Sequence, residues 1–155
     1  MIAVVQRVAS ARVLVAGAVV GQIGRGLCVL AAVHHDDTDT DVTWVASKLV
    51  SLRMFPRADK NFDLDVQQIH GGLLLVSNFT VAADARKGRR PSLDAAASPE
   101  LGRQLFDTFV AAVRSAAGPH VAVATGQFGT DMQVELVNDG PVTFLLDSRD
   151  ARPGR

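Results

Sequence analysis

A single cysteine in 155 residues excludes an intrachain disulfide, and the place of Cys28 in the apolar run from Leu27 to Val33 reads as a buried structural thiol in a reducing compartment. The common catalytic signatures are missing: there is no GxxxxGKS/T phosphate loop, no GxSxG elbow and no HExxH. Gly21, Gly24 and Gly26 lack the spacing of a nucleotide-binding loop and read as strand turns. His34, His35, Asp36 and Asp37 are adjacent on a polar turn and converge poorly on one ion, while His70 and His120 sit beside glycine or proline in loops, so neither a metal nor a cofactor is expected. An excess of either charge is also missing. Sixteen basic and sixteen acidic residues give a formal net charge of zero, which argues against wrapping DNA or any long nucleic acid. No 18-residue apolar run occurs, and no charged segment precedes the opening Ile2 to Val5, so the expectation is a soluble cytoplasmic protein without a membrane partner.

What is present suits one globular domain. Hydrophobic residues make up 48% and charged residues 21%, and a chain of this size buries roughly 68 to 70% of its unfolded surface. Residues 2 to 33, divided by glycines, read as three or four strands. Thr38 to Asp41 start an amphipathic helix over 40–52, with Val42, Val45, Leu49 and Leu52 at steps of three and four. The segment 55–65, polar and carrying Pro56, reads as a loop or an irregular edge segment. Gly71 and Gly72 open a strand over 73–81 whose apolar start implies burial on both faces. Residues 82–97 have no period and read as a long loop. Ser98, Pro99 and Glu100 then start a helix with Leu101, Leu105, Phe109 and Val113 on one side, stopped by Gly118 and Pro119. Strands are expected at 121–124, 132–137 and 142–146. The fold class is α/β, with a domain over 1–147 and a flexible tail over 148–155.

Two polar clusters interrupt apolar segments. In Asn138, Asp139, Gly140, Pro141, Val142, Thr143 a proline that offers no amide donor stands between two strands, and the ordinary reading is a tight turn. In Ser77, Asn78, Phe79, Thr80 two hydroxyls lie on a strand expected to be buried, where each needs a hydrogen-bond partner. A nucleophilic role for Ser77 or Thr80 requires a nearby base, and no spacing supplies one. A structural role is the ordinary reading for both hydroxyls, and a small site where the two interrupted strands meet, with backbone groups doing its chemistry, is the alternative. Arg86, Lys87, Arg89 and Arg90 form the one dense basic cluster, ordinarily a solvated surface run.

In this order, MIAVVQRV at the start, GQIGRGL at 21–27, SNFTVAAD at 77–84, KGRRPS at 87–92, TGQFGTDM at 125–132 and LVNDGPVTF at 136–144 make the chain similar to the D-aminoacyl-tRNA deacylases, also called D-tyrosyl-tRNA deacylases. The family's Asn-x-Gly-Pro-x-Thr segment is complete as Asn138, Gly140, Pro141 and Thr143. Its Ser-Gln-x-Thr segment departs at Asn78, one methylene shorter than glutamine, and Leu93 stands where phenylalanine is usual. Backbone contacts from Asn78 or Phe79 do not depend on that difference.

The resemblance implies a mixed sheet closed into a barrel-like core with two main helices, in a homodimer with active sites at the subunit interface. It implies a cis Gly140–Pro141 bond that reaches the partner's pocket and reads handedness there, with Arg7, Asn138 and Thr143 supporting the loop and Arg7 bracing the partner's copy. It places Ser77, Phe79 and Thr80 at the catalytic centre and Asn78 and Met132 against substrate. The implied reaction hydrolyses the ester between a D-amino acid, or glycine, and the terminal adenosine of tRNA, assisted by the ribose 2′-hydroxyl and requiring no cofactor. Arg86, Lys87, Arg89 and Arg90 are then candidates for phosphates of the acceptor end. A non-catalytic dimeric module that binds the tRNA acceptor end is the rival reading.

Overall fold

A computed structural model describes residues 1–151. The amino-terminal half builds the sheet from β1 (Ile2–Val15), β2 (Ala18–Ile23) and β3 (Gly26–Ala32), three strands where the glycines allow three or four. β1 pairs antiparallel with both β2 and β3. Helix α1 (Asp39–Ser51) follows, its first turn closed by Asp41, whose Oδ2 accepts from the Thr38 amide at 2.9 Å. β6 (Gly72–Ser77) lies parallel to β3, and β7 (Ala122–Thr125) parallel to β6. Helix α2 (Pro99–Ala117) connects them, with proline at its first position and Ser98 Oγ accepting from the Leu101 amide at 3.3 Å. The last strand, β8 (Gln133–Asp147), pairs antiparallel along β1. At Gly21 an added Cβ would stand 2.3 Å from the Thr125 carbonyl oxygen, so the missing side chain lets β2 approach β7 and nearly close the mixed sheet into a barrel.

Alternation along β6 divides the interior. Leu73 and Leu75 point to the cluster built with Val45, Leu49, Phe109 and Val113 of the two helices, while Leu74 and Val76 pack with Val8, Val13 and Cys28. β6 is therefore buried on both faces, as its unbroken apolar start predicts. Burial pushes the Cys28 thiol up to about 11, against a weaker opposing hydrogen bond from Val29, which leaves it protonated and unreactive at neutral pH.

The structure corrects four expectations. Segment 55–65 is a hairpin, β4 (Phe55–Arg57) with β5 (Lys60–Leu64), where Pro56 is tolerated because the sheet has only two strands. The strand expected over 73–81 ends at Ser77 and turns into a short 3-10 helix (Phe79–Ala82), so Thr80 lies exposed on a turn. Local bonding between the Asn78 and Thr80 side chains competes there with the strand ladder. The two segments flanking Gly140–Pro141 are one strand, β8. Finally, Ser148 belongs to the core at 2% exposure and opens a 3-10 turn (Ser148–Ala151). Its hydroxyl accepts from the Met1 ammonium at 2.6 Å and donates to Asp41 at 2.8 Å, saturation that a hydropathy reading does not register. Of the expected flexible tail, 152–155 lies outside the described residues.

Among the described residues no helix is long and apolar enough to cross a membrane.

Candidate active site

β3 and β6 run parallel, and beyond their carboxyl ends lies a cavity of about 1020 Å³. Its walls are the strand ends at Ala31 and Ser77, the strap from Leu93 to Pro99, Phe106 of α2, the loop from Phe128 to Met132, and Val134 and Leu136 of β8. The strap is fixed to the end of β3, with the Ala97 amide donating to the Val33 carbonyl at 3.0 Å and the His35 amide to the Ala95 carbonyl at 3.1 Å.

Four of the residues singled out from sequence meet here: Ser77, Asn78, Phe79 and Met132. The Asn78 amide is already engaged, donating to the Ala31 carbonyl at 2.8 Å and extending the β3–β6 ladder by one bond. The turn's first internal bond runs from the Val81 amide to the Asn78 carbonyl at 3.1 Å. The amides of Phe79 and Thr80 precede that bond, as the opening amides of any helical turn do, and have no acceptor within the turn. The Phe79 ring is 59% exposed at the cavity. The Thr80 hydroxyl donates to Asn78 Oδ1 at 2.5 Å, and Thr80 is not among the lining residues. A hydroxyl committed to an amide oxygen has no base to activate it. Met132 is held by its thioether, which accepts from the Gln127 amide at 3.3 Å.

Gly140 and Pro141 do not line this cavity; they are exposed, four and five positions beyond Leu136 on β8. Gln6 faces Thr143 and Val8 faces Asn138, so the single residue Arg7 on β1 spans four on β8, Asp139 to Val142. Those four bulge out of the ladder, and the chain then continues in the same direction instead of reversing as a hairpin turn would. The Gly140–Pro141 bond is cis. Asn138 closes the base of the bulge. Its Oδ1 accepts from the Val142 amide at 2.9 Å and its Nδ2 donates to the Val142 carbonyl at 3.2 Å, substituting for a backbone pair. Thr143 Oγ1 accepts from Gln6 Nε2 at 3.3 Å.

Arg7, at 9% exposure, donates from Nε to the Asp139 carbonyl at 3.0 Å and from Nη1 to the Met54 carbonyl at 2.8 Å, and pairs with the Asp139 carboxylate at 3.3 Å. It thus braces the bulge of its own chain. Gly140 has φ +143°, and a Cβ there would lie 2.6 Å from Val142 Cγ2 and 3.3 Å from Arg7 Nη2, so no other residue fits without displacing the bulge.

The basic loop follows the 3-10 turn. Hydrogen bonds from Arg86 hold the Asp84 carboxyl down at about 2, so that pair stays ionised at neutral pH. Among the described residues no carboxylate pairs with Lys87, Arg89 or Arg90, which are exposed.

The residues 4–147 match the family model described as D-Tyr-tRNA(Tyr) deacylase. The chain belongs to the D-Tyr-tRNA(Tyr) deacylase family. It is 53% identical over 153 residues to the D-aminoacyl-tRNA deacylase of Methylococcus capsulatus, covering 99% of this chain and 98% of that one. It is 52% identical over 147 residues to the D-aminoacyl-tRNA deacylase of Pelobacter propionicus, covering 95% and 99%. A solved structure titled c-Myc DNA Unwinding Element Binding Protein matches with a TM-score of 0.89 at 34% identity, covering 95% of this chain and 98% of that one. A probable eukaryotic D-amino acid tRNA deacylase shares the fold, with a TM-score of 0.80 at 19% identity over 94% of this chain and 98% of that one. This deacylase family consists of hydrolases.

Sequence reasoning passed over Phe106 and Phe128. Phe106 falls one position outside the Leu101, Leu105, Phe109 stripe. Phe128 had a signal, an aromatic ring between Gly126 and Gly129 in a loop that otherwise needs none.

His34 and Asp37, weighed as metal ligands, are buried. The Asp37 carboxylate pairs with the Met1 ammonium and accepts from the His34 amide at 2.7 Å. Burial works to raise its pKa, and the hydrogen bonds from His34 and the terminal ammonium outweigh it, holding the carboxyl below the usual carboxylate range.

Proposed function

We propose that the protein hydrolyses the ester between a D-amino acid, or glycine, and the 3′-terminal adenosine of tRNA, acting as a homodimer in which the Gly140–Pro141 bulge of each protomer enters the partner's cavity. One observation carries this reading. A braced, exposed bulge and a cavity that it does not line, with the Phe79 amide open at the cavity and that of Thr80 next to it, lie on one chain, which suits a second copy uniting them.

The amides of Phe79 and Thr80 would receive the carbonyl oxygen of the ester as it takes on negative charge. Water adds to the carbonyl carbon, the bond to the ribose oxygen breaks, and that oxygen leaves as a hydroxyl carrying a proton. The neighbouring 2′-hydroxyl assists, and no enzyme nucleophile is needed. Backbone carbonyls at Gly140 and Pro141 exclude an L side chain and admit the hydrogen of a D substrate, so discrimination works by collision; glycine passes the same filter. Lys87, Arg89 and Arg90 are the cations available for acceptor-end phosphates, since Arg86 is engaged by Asp84.

Incubation with matched D- and L-aminoacyl-tRNA tests the reading. Loss of the D ester alone is expected, and equal loss of both contradicts the filter. A substrate without the terminal 2′-hydroxyl should be cleaved far more slowly; full speed would remove the assisting role. Binding of charged tRNA without hydrolysis of either ester would leave the non-catalytic module as the better account.

A further inference from the structure

Helix α2 meets the loop 126–132 through Gly102, Arg103 and Phe106. At Gly102 a Cβ would lie 3.6 Å from Phe128 Cζ, so the helix surface comes up against the ring edge. Arg103, exposed on the next position, grips the same phenylalanine twice. Its guanidinium carbon stands 4.7 Å from the Phe128 ring centroid, and its Nη2 donates to the Phe128 carbonyl at 3.4 Å. Phe106, one turn on, packs against that ring at 6.1 Å between centroids. Phe106 and Phe128 both line the cavity. Among the described residues no carboxylate pairs with Arg103, so its charge remains available to the ring face.

The rest of the loop is held from within. Thr130 Oγ1 donates to the Gln127 carbonyl at 2.9 Å, and the Gln127 amide bonds to Met132. Those bonds fix the ends of the loop and leave the direction of the Phe128 side chain to α2. Gly129, at φ +75°, gives the neighbouring backbone a conformation that fits beside the guanidinium, 3.6 Å from the position its Cβ would take.

We propose that Arg103 is a positioning residue for substrate binding: it fixes Phe128 as a wall of the cavity and thereby sets the shape of the chamber that receives the aminoacylated end of tRNA. This rests on the function proposed above. Arg103 acts through Phe128, and its removal affects how well substrate is held more than how fast the bound ester is cleaved.

The test uses R103M, R103K, F128A and the double variant R103M/F128A. R103M should raise KM for D-aminoacyl-tRNA about five- to tenfold with kcat within about twofold of the starting protein, and R103K, which keeps a cation over the ring, should lose about two- to threefold. In the F128A background R103M should add less than about twofold, because the intermediary is already absent. A full R103M penalty on top of F128A overturns the proposal and identifies a direct phosphate contact. A fall in kcat with unchanged KM also overturns it. Amide exchange gives a readout without substrate: residues 128–131 should exchange faster in R103M, and unchanged protection contradicts the coupling. Absence of D-aminoacyl-tRNA hydrolysis by the unmodified protein would count against the function proposed above, while the exchange measurement would still decide whether Arg103 holds Phe128.

Discussion

The cavity and the Gly140–Pro141 bulge are built by opposite rules. The cavity wall at Ser77–Phe79 lies where a buried strand ends, and the turn that follows leaves the amides of Phe79 and Thr80 without acceptors of its own. In the bulge, Asn138 saturates the Val142 backbone and Arg7 anchors the Asp139 carbonyl, although the residues at the tip are exposed. A loop tip that served only to connect strands would need no such fastening. The open groups of the first region suit a reacting carbonyl, and the closed groups of the second suit a rigid wall. The contrast supports a division of labour between donor groups and steric exclusion.

The largest effect should come from Gly140→Ala. Its Cβ would collide with Val142 and press on Arg7, displacing the bulge, so kcat/KM for D-aminoacyl-tRNA should fall about 10²-fold or more with a loss of stability of about 1–3 kcal/mol. Unchanged activity would mean that the bulge is not a working surface. A control on a third region is Asp37→Asn, which leaves the Met1 ammonium without its buried counter-charge and should cost about 3 kcal/mol of stability, with kcat unaffected. Because the folded Asp37 carboxyl is depressed, the folded state binds fewer protons than the unfolded one below about pH 4. Its stabilisation is therefore present above the unfolded value near 3.9 and lost as pH falls through the folded one, and acid melts should show the variant converging on the original protein.

Asn138→Ala removes two bonds at the base of the bulge and should cost about 1–2 kcal/mol, with roughly a tenfold loss of activity; a loss of stability without a loss of activity would separate the bulge from function. Neutralising Lys87, Arg89 and Arg90 should flatten the salt dependence of tRNA binding by about two to three in logarithmic slope. Thr80→Val should be the mildest, within about fivefold in kcat, since the hydroxyl bonds to Asn78 and only the backbone amide is assigned a role.

The helices were legible because Val42, Val45 and Leu49, like Leu105, Phe109 and Val113, repeat at helical spacing and meet in one cluster. The two-sided burial of β6 was legible from an unbroken leucine run. What local pattern could not supply was decided by long-range partners. β8 stays continuous through Gly140–Pro141 because β1 pairs on both sides of the bulge, and Asn138 bridges it by mimicking backbone. Thr80 leaves the strand because Asn78 draws it into a local bond. Ser148 is buried because the terminal ammonium, 147 positions away in sequence, requires an acceptor. Ser77, Asn78 and Phe79 stood out as a polar cluster in an apolar segment and Met132 came from motif resemblance, whereas the grip of Arg103 on Phe128 becomes visible only when α2 and the loop 126–132 meet in space.

Whether the bulge works across subunits can be measured by complementation. Gly140→Ala damages the bulge and spares the cavity; Asn78→Trp fills the cavity and spares the bulge. Mixed dimers of the two inactive variants contain one intact pair, the cavity of the first with the bulge of the second, and should recover about half the activity of the unmodified dimer. Mixed dimers that form and stay inactive would show that the bulge does not serve the partner's cavity.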